Sequence, residues 1–201
     1  MRLAKMAGFI LAMAVPMAGF AQNKPVNIRP DVATVTVDTG AGTVEIGRIQ
    51  DNDNLLIGDW ARTSRPCPLF CVQPISPADG VATIGELEII EMLQNPKAVV
   101  VDSRVAKWYY NGTIPGATHI PYTEVVDRLD ELGCEIDFDG WICENAIPVA
   151  LFCNGPWCGQ SPTAIRAMIG AGYPADKIHY YRGGMQVWRM LGLTVIEPKD
   201  G

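Results

Sequence analysis

The segment that most restricts the fold of this chain is a hydrophobic run that leads through a short loop into a helical pattern. The run, residues 147–152, ends at Cys153, and the glycine- and proline-containing loop that follows holds a second cysteine, Cys158. A buried strand followed by a helix is typical of an α/β sheet. The turn between them places a thiol where backbone N–H groups and a helix N-terminus favour negative charge. Such a thiol ionises readily, and the thiolate is its reactive form.

Short apolar runs and helical patterns alternate through the rest of this region. Strands are predicted at residues 98–101, 118–121, 147–152 and 178–181. Helices are predicted from residue 83 onward and at residues 123–132, 161–171 and 183–191. The alternation predicts an α/β domain over residues 83–198, with a central parallel sheet flanked by helices.

Two helix starts carry specific sequence signals. Thr83 and Glu86 have the spacing of a capping box, which predicts a helix that begins there. Ser161 is a predicted N-cap with Pro162 at the first helical position, and Gly172 lies just beyond the predicted end of the same helix.

The N-terminus has the pattern of a secretory signal peptide over residues 1–21. Arg2 and Lys5 precede the apolar stretch 6–20, and small residues precede a predicted cleavage point after Ala21. The alternative is a membrane anchor, but the apolar stretch is shorter than the roughly 20 residues that span a bilayer. We therefore expect a periplasmic protein without a membrane anchor after cleavage.

Residues 22–82 form a predicted N-terminal extension. Residues 34–38 and 44–48 alternate branched and polar side chains on either side of a glycine-containing turn, which predicts a β-hairpin. Residues 64–77 are rich in proline and include Cys67 and Cys71. This extension is either a lid over the site or a cover for an edge strand.

Charge and cysteine content limit the partners. The formal net charge is −6, which disfavours nucleic acid and anionic membranes as partners. An even number of cysteines in an exported chain indicates disulfides. Their order favours three local pairs, Cys67–Cys71, Cys134–Cys143 and Cys153–Cys158. The first two are candidate structural disulfides, and the third is interpreted as a redox or catalytic pair, with a structural disulfide as its alternative.

Four segments together resemble the rhodanese domain family. They are VDSR (101–104), NGTIPGATHIPY (111–122), LFCNGPWCGQSP (151–162) and YYRGGMQVWRMLGLTV (180–195). The resemblance implies a parallel sheet wrapped by helices and a site without a cofactor. It identifies Cys153 as the nucleophile that carries sulfane sulfur as a persulfide, and Asp102 and Arg104 as residues that order the surrounding loops. The implied substrate-binding loop consists of Asn154, Gly155, Pro156, Trp157, Gly159, Gln160 and Ser161.

The loop also departs from the family pattern. Cys158 stands five residues after Cys153, where the family commonly has a basic residue, and the separation from Cys153 to Ser161 makes the loop longer. Position 159 is glycine, so the related phosphatases, which need an arginine there, are disfavoured. Cys158 is instead a candidate resolving thiol that attacks a sulfur carried by Cys153.

Three functions follow from these features. The first is a periplasmic sulfurtransferase that uses a Cys153 persulfide, a small sulfur-containing donor and a thiol acceptor. The second is a thiol–disulfide or persulfide oxidoreductase that cycles through a Cys153–Cys158 disulfide with a periplasmic redox protein as partner. The third is a non-catalytic binding module. No metal site is expected, because the spacings of Cys67–Cys71 and Cys153–Cys158 differ from those of zinc motifs.

Overall fold

A central five-stranded parallel sheet organises the protein. The computed structural model describes residues 24–68 and 70–199, so the predicted signal peptide, residues 1–21, lies outside the described residues. The sheet consists of β3 (Ala82–Thr83), β4 (Val99–Asp102), β5 (Thr118–His119), β8 (Val149–Phe152) and β9 (Ile178–Tyr181). The strand order is β3-β9-β8-β4-β5, and every pairing is parallel. The predicted α/β fold is therefore confirmed.

Helices cover both faces of this sheet. They are α1 (Glu86–Gln94), α2 (Ala106–Tyr110), α3 (Gln160–Gly170) and α4 (Gly184–Met190). Short 3₁₀ helices span Gly58–Ala61, Val126–Leu132 and Ala175–Lys177. Residues of α3 and of the second 3₁₀ helix pack on one face, and residues of α1 and α4 pack on the other.

The central strand β8 is buried on both faces because its neighbours and both helical layers enclose it. All four of its residues are buried. Leu151 belongs to the cluster that includes Ile165 of α3, whereas Phe152 belongs to the cluster that includes Trp188 of α4. A continuous apolar strand is the pattern expected in a parallel sheet covered on both sides. Each such aliphatic or aromatic side chain contributes about 1.5–3 kcal/mol when fully buried.

The N-terminal extension begins with the predicted hairpin. Strands β1 (Val35–Asp38) and β2 (Thr43–Ile46) pair in antiparallel fashion. Val37 and Ile46 are buried in the same cluster as Ile89 of α1, so the hairpin extends the core beyond the sheet.

A second hairpin occupies the acidic segment 134–143. Strands β6 (Glu135–Asp137) and β7 (Gly140–Ile142) pair in antiparallel fashion, and a Cys134–Cys143 disulfide closes their base. The two cysteines are buried in the core cluster, whereas Phe138 at the tip is fully exposed. No strand is predicted here because the acidic composition favours a loop, although Ile136 and Phe138 alternate with acidic residues as in a strand.

The first two predicted helices differ from those in the structure. The helix expected from Thr83 begins at Glu86 with Gly85 as N-cap, and the capping contact comes from Glu88, whose carboxylate accepts from the Gly85 N–H at 2.9 Å. Thr83 lies in edge strand β3, where its hydroxyl donates to the Ile75 carbonyl. The second helix, expected at residues 123–132, is a 3₁₀ helix from Val126 to Leu132 that is interrupted at Arg128. Among the described residues, no helix is both long enough and apolar enough to cross a bilayer.

Candidate active site

The cysteine loop, residues 153–159, lies at the carboxyl edge of the parallel sheet. It leaves β8 after Phe152 and enters α3 at Gln160. In open α/β sheets, ligands bind in the crevice outside the carboxyl ends of the strands. The predicted strand–loop–helix unit therefore places Cys153 and Cys158 where such folds bind their ligands.

Cys153 is a buried thiol surrounded by hydrogen-bond donors. Its side chain is free of a disulfide, and the residue is 2% exposed. Burial alone would raise the pKa of Cys153, but hydrogen bonds from the side chains of Cys158 and Ser161 and from the backbone N–H groups of Ser161 and Gly155 outweigh it and lower the pKa to about 7. These donors therefore favour the thiolate form of Cys153.

Cys158 is the partner that keeps its proton. Its hydrogen bond to Cys153 is the largest cause of a raised pKa at Cys158, and burial acts in the same direction. In the structure the Cys158 thiol donates to the Gln160 side-chain oxygen at 3.9 Å. In its protonated form, Cys153 donates to the Cys158 carbonyl oxygen at 3.2 Å. The two sulfurs share one environment, with Cys153 the more acidic.

The predicted N-cap role of Ser161 is wrong. Gly159 is the N-cap of α3, the helix begins at Gln160, and no side chain caps it. Pro162 is accordingly in the interior of the first turn and not at the first helical position. The Ser161 hydroxyl donates to Cys153 Sγ at 3.0 Å. The Ser161 side chain therefore faces the predicted nucleophile and does not cap the helix.

The Asp102–Arg104 pair supports the loop from below. Both side chains are fully buried, and Arg104 Nε donates to Asp102 Oδ1 at 2.8 Å. Arg104 also donates to Asn154 Oδ1 at 3.3 Å and to the Gly112 carbonyl at 2.8 Å. The arginine therefore ties the end of β4 to the residue that follows Cys153, and it touches neither sulfur.

The start of α4 holds the other side of the loop. Backbone N–H groups of Met185 and Gln186 donate to the carbonyls of Cys153 and Asn154 at 3.0 and 2.9 Å. Gly184 has φ +52°, and a Cβ there would collide with the Cys153 carbonyl oxygen. A larger residue would push the loop away from α4, which explains why the first position of this helix needs glycine.

The N-terminal extension lies across the loop, and the sequence left its contacts open. The Gln73 N–H donates to the Pro156 carbonyl at 2.8 Å, and Arg182 of the domain donates to the Gln73 carbonyl at 2.9 Å. The Phe70 ring meets the Trp157 ring edge-on at 5.5 Å between centroids. Of the two predicted arrangements, the contacts of Phe70 and Gln73 with the loop fit the lid. A Cys67–Cys71 disulfide closes this segment.

A cavity of about 370 Å³ opens beside the loop. Its lining consists of Phe70, Trp108, Tyr122, Asn154, Cys158, Gly159, Gln160 and Thr163. Cys158 thus faces the cavity, whereas Cys153 lies behind it. Of these residues, Asn154, Cys158, Gly159 and Gln160 were predicted site residues. The other four were not predicted, because no local sequence pattern shows that Phe70, Trp108, Tyr122 and Thr163 line the same cavity.

A metal site would need thiolates from both Cys67–Cys71 and Cys153–Cys158. Cys67 and Cys71 are joined to each other and hold no free thiolate. Within residues 24–68 and 70–199, no cluster of three or more cysteine, histidine or carboxylate side chains could hold a metal ion.

Comparisons with known proteins place this geometry in a family. The rhodanese-like domain matches residues 87–191, just over half of the chain. An HTH-type transcriptional regulator of Mycobacterium tuberculosis is 31% identical over 122 residues, which cover 61% of this chain and 46% of the regulator. The chain thus spans about half the length of that curated relative.

Solved structures that match part of this chain include a rhodanese-related protein from Thermoplasma volcanium. It is 21% identical, with a TM-score of 0.43, and the match covers 58% of this chain and 99% of that one. A thiosulfate sulfurtransferase from Pseudomonas aeruginosa is 22% identical, with a TM-score of 0.43, over 59% of this chain and 21% of its own. From the match over residues 87–191, the chain belongs to the rhodanese-like domain family.

Proposed function

We propose that the protein is an exported sulfurtransferase that carries sulfane sulfur on Cys153. The observation that supports this most is the position of the buried Cys153 thiol between β8 and α3, where the Ser161 hydroxyl donates to its sulfur at 3.0 Å and the surrounding donors lower its pKa. The same donors suit a persulfide, which is also anionic. Nucleophilic catalysis by cysteine requires such a thiolate.

The proposed reaction has two steps. The Cys153 thiolate attacks the outer sulfur of a donor such as thiosulfate; the donor S–S bond breaks, sulfite leaves and a Cys153 persulfide forms. A thiol acceptor, or cyanide in an assay, then attacks the outer persulfide sulfur and releases the Cys153 thiolate. Ser161 and the loop N–H groups hold the negative charge that remains on Cys153 before and after transfer.

Export is part of the same proposal. It rests on the signal-peptide pattern of residues 1–21. The disulfides Cys67–Cys71 and Cys134–Cys143 support it, because disulfides persist in oxidising compartments such as the periplasm.

A second candidate function is supported by the position of Cys158. Cys158 is a second free thiol in the same loop, and in an attack on the inner sulfur of a Cys153 persulfide its proton would pass to the departing outer sulfur. That attack would release hydrogen sulfide and form a Cys153–Cys158 disulfide. A dithiol partner, such as a periplasmic redox protein, would then supply the two electrons that restore both thiols.

Sulfur transfer from thiosulfate to cyanide tests both candidates. We expect Cys153→Ser to lower the rate of thiocyanate formation by about 10³-fold or more. Cys158→Ser, the matched control in the same loop, retains thiocyanate formation if sulfur transfer is the function. In the absence of cyanide, stoichiometric sulfide release that requires Cys158 would instead favour the reductase. A wild-type protein that forms neither product would contradict both and favour the binding module.

A further inference from the structure

The site has a sulfur nucleophile but lacks the loop cation that an anionic donor would meet. No lysine or arginine is among the residues that line the cavity. Arg104, the cation beneath the loop, is fully buried and occupied by Asp102, Asn154 and the Gly112 carbonyl. A sulfur oxyanion that enters the cavity must therefore find its positive charge elsewhere.

The N-terminal extension brings an arginine to the loop. The guanidinium of Arg65 lies 3.8 Å from the centre of the Trp157 ring, and Trp157 is the immediate neighbour of Cys158. A guanidinium on a ring face keeps its N–H donors along its edge, where they can bind an oxyanion in bidentate fashion. The stacking holds the Arg65 guanidinium against the loop.

The charge of Arg65 is incompletely paired. Within the described residues, its Nε is buried without a hydrogen-bond partner, and its Nη2 donates to the backbone carbonyl of Asp59. The Asp59 carboxylate forms its ion pair with Arg62 instead, at 3.2 Å. Burial is the main cause of a lowered pKa at Arg65. Among the described residues, Nη1 forms no hydrogen bond and is not buried, so it is the donor that an incoming anion can meet.

The segment around Arg65 is held in place against the same loop. The Cys67–Cys71 disulfide closes the turn that follows it. Phe70, within this turn, both packs on Trp157 and lines the cavity beside Cys158. Gln73 fixes the far end of the segment to the Pro156 carbonyl. Arg65 is not itself a lining residue, and it borders the cavity through Trp157, which packs on the lining residue Phe70.

We propose that Arg65 is the anion-binding residue of this site and selects small sulfur oxyanions, such as thiosulfate, at the entrance to the Cys158 cavity. It takes the role that a basic residue within the loop would otherwise have. The inference rests on the proposed sulfurtransferase function for its chemistry, but anion binding itself can be measured without turnover.

Arg65→Met tests this, because methionine keeps an apolar stem on Trp157 and removes the charge. Arg62→Met, an exposed arginine in the same segment, is the matched control. With cyanide as acceptor, we expect kcat/KM for thiosulfate to fall about 10- to 100-fold in Arg65→Met, the effect of losing one charged hydrogen bond. With the neutral donor dimethyl trisulfide, the two variants should match wild type. Arg65→Lys keeps the charge and should recover part of the thiosulfate activity.

A binding measurement separates this inference from the proposed function. Thiosulfate is titrated by calorimetry into Cys153→Ser protein and into the Cys153→Ser/Arg65→Met double variant, with folding checked by circular dichroism. We expect the dissociation constant to rise about 10- to 100-fold when Arg65 is replaced. If wild type transfers no sulfur but this difference is found, the Arg65 site stands and the sulfurtransferase proposal fails. Equal thiosulfate kinetics in Arg65→Met and Arg62→Met would overturn the Arg65 site and leave sulfur transfer intact.

Discussion

The cysteine loop and the β6–β7 hairpin each contain two buried cysteines, yet their chemistry differs. In the hairpin, Cys134 and Cys143 are joined across the base of two antiparallel strands. In the loop, Cys153 and Cys158 are free thiols, and the Cys153 sulfur contacts the Cys158 carbonyl oxygen at 3.2 Å. The difference lies in what surrounds the sulfurs. The hairpin pair packs among apolar residues of the core cluster, whereas converging N–H and O–H donors stabilise a thiolate at Cys153. Burial alone therefore does not distinguish a structural cysteine from a reactive one.

The buried Asp102–Arg104 ion pair beneath the loop should contribute most to the free energy of unfolding. Arg104→Met leaves the Asp102 carboxylate buried without its partner, so we expect a loss of about 3–5 kcal/mol in the free energy of unfolding. Arg128→Met is the control, since it removes a partly exposed pair with Glu131 and should cost about 0–1 kcal/mol. Urea denaturation measures both. Similar losses in the two variants would show that the Asp102–Arg104 pair does not anchor the loop.

Removing the hairpin disulfide should lower the stability of the protein and leave its rate of sulfur transfer unchanged. Replacing both Cys134 and Cys143 by alanine removes a short covalent loop, and we expect the free energy of unfolding to fall by about 2–3 kcal/mol. The rate of thiocyanate formation should stay within about twofold of wild type, because the loop donors are unchanged. A collapse of sulfur transfer in a variant that remains folded would break the distinction between the two regions.

The smallest effect is a shift in the pH dependence of Cys153 alkylation. Because only the thiolate reacts, the rate with iodoacetamide should rise with pH and reach half its maximum at the Cys153 pKa of about 7. Cys158→Ala removes one donor to the thiolate, so the midpoint should move up by about one pH unit. Cys153→Ser serves to assign the modified sulfur. A midpoint at 8.5 or above in wild type would mean that the loop donors do not stabilise the thiolate.

The sequence predicted the parts of the fold that local patterns encode. The four strands that carry most of the sheet, and the helix after Cys153, follow from apolar runs bounded by loops. The edge strand β3 was missed because Thr83 and Glu86 imitate a capping box, whereas the actual box uses Gly85 and Glu88. Ser161 was assigned to the helix end because the pattern alone does not show that a sulfur lies within hydrogen-bond distance of its hydroxyl.

The candidate site was predictable along the loop and unpredictable across the chain. Cys153, Cys158 and their neighbours lie in one continuous segment, so their spacing was visible. The contacts of Arg65 and Phe70 with Trp157 join residues about 90 positions apart in the sequence. Such contacts depend on how the N-terminal extension packs on the α/β domain. The proline-rich sequence of the extension has no periodic pattern that predicts this packing.

The central claim is that Cys153, with Cys158 beside it, carries the transferred sulfur. It is tested most directly by mapping the persulfide after incubation of the reduced protein with thiosulfate, by mass spectrometry of the intact chain and of the peptide that contains both cysteines. We expect one added sulfur atom on Cys153, and cyanide should remove it. The added sulfur should also form in Cys158→Ser but not in Cys153→Ser. Sulfur added to Cys158 in the Cys153→Ser protein, at the wild-type rate, would contradict it.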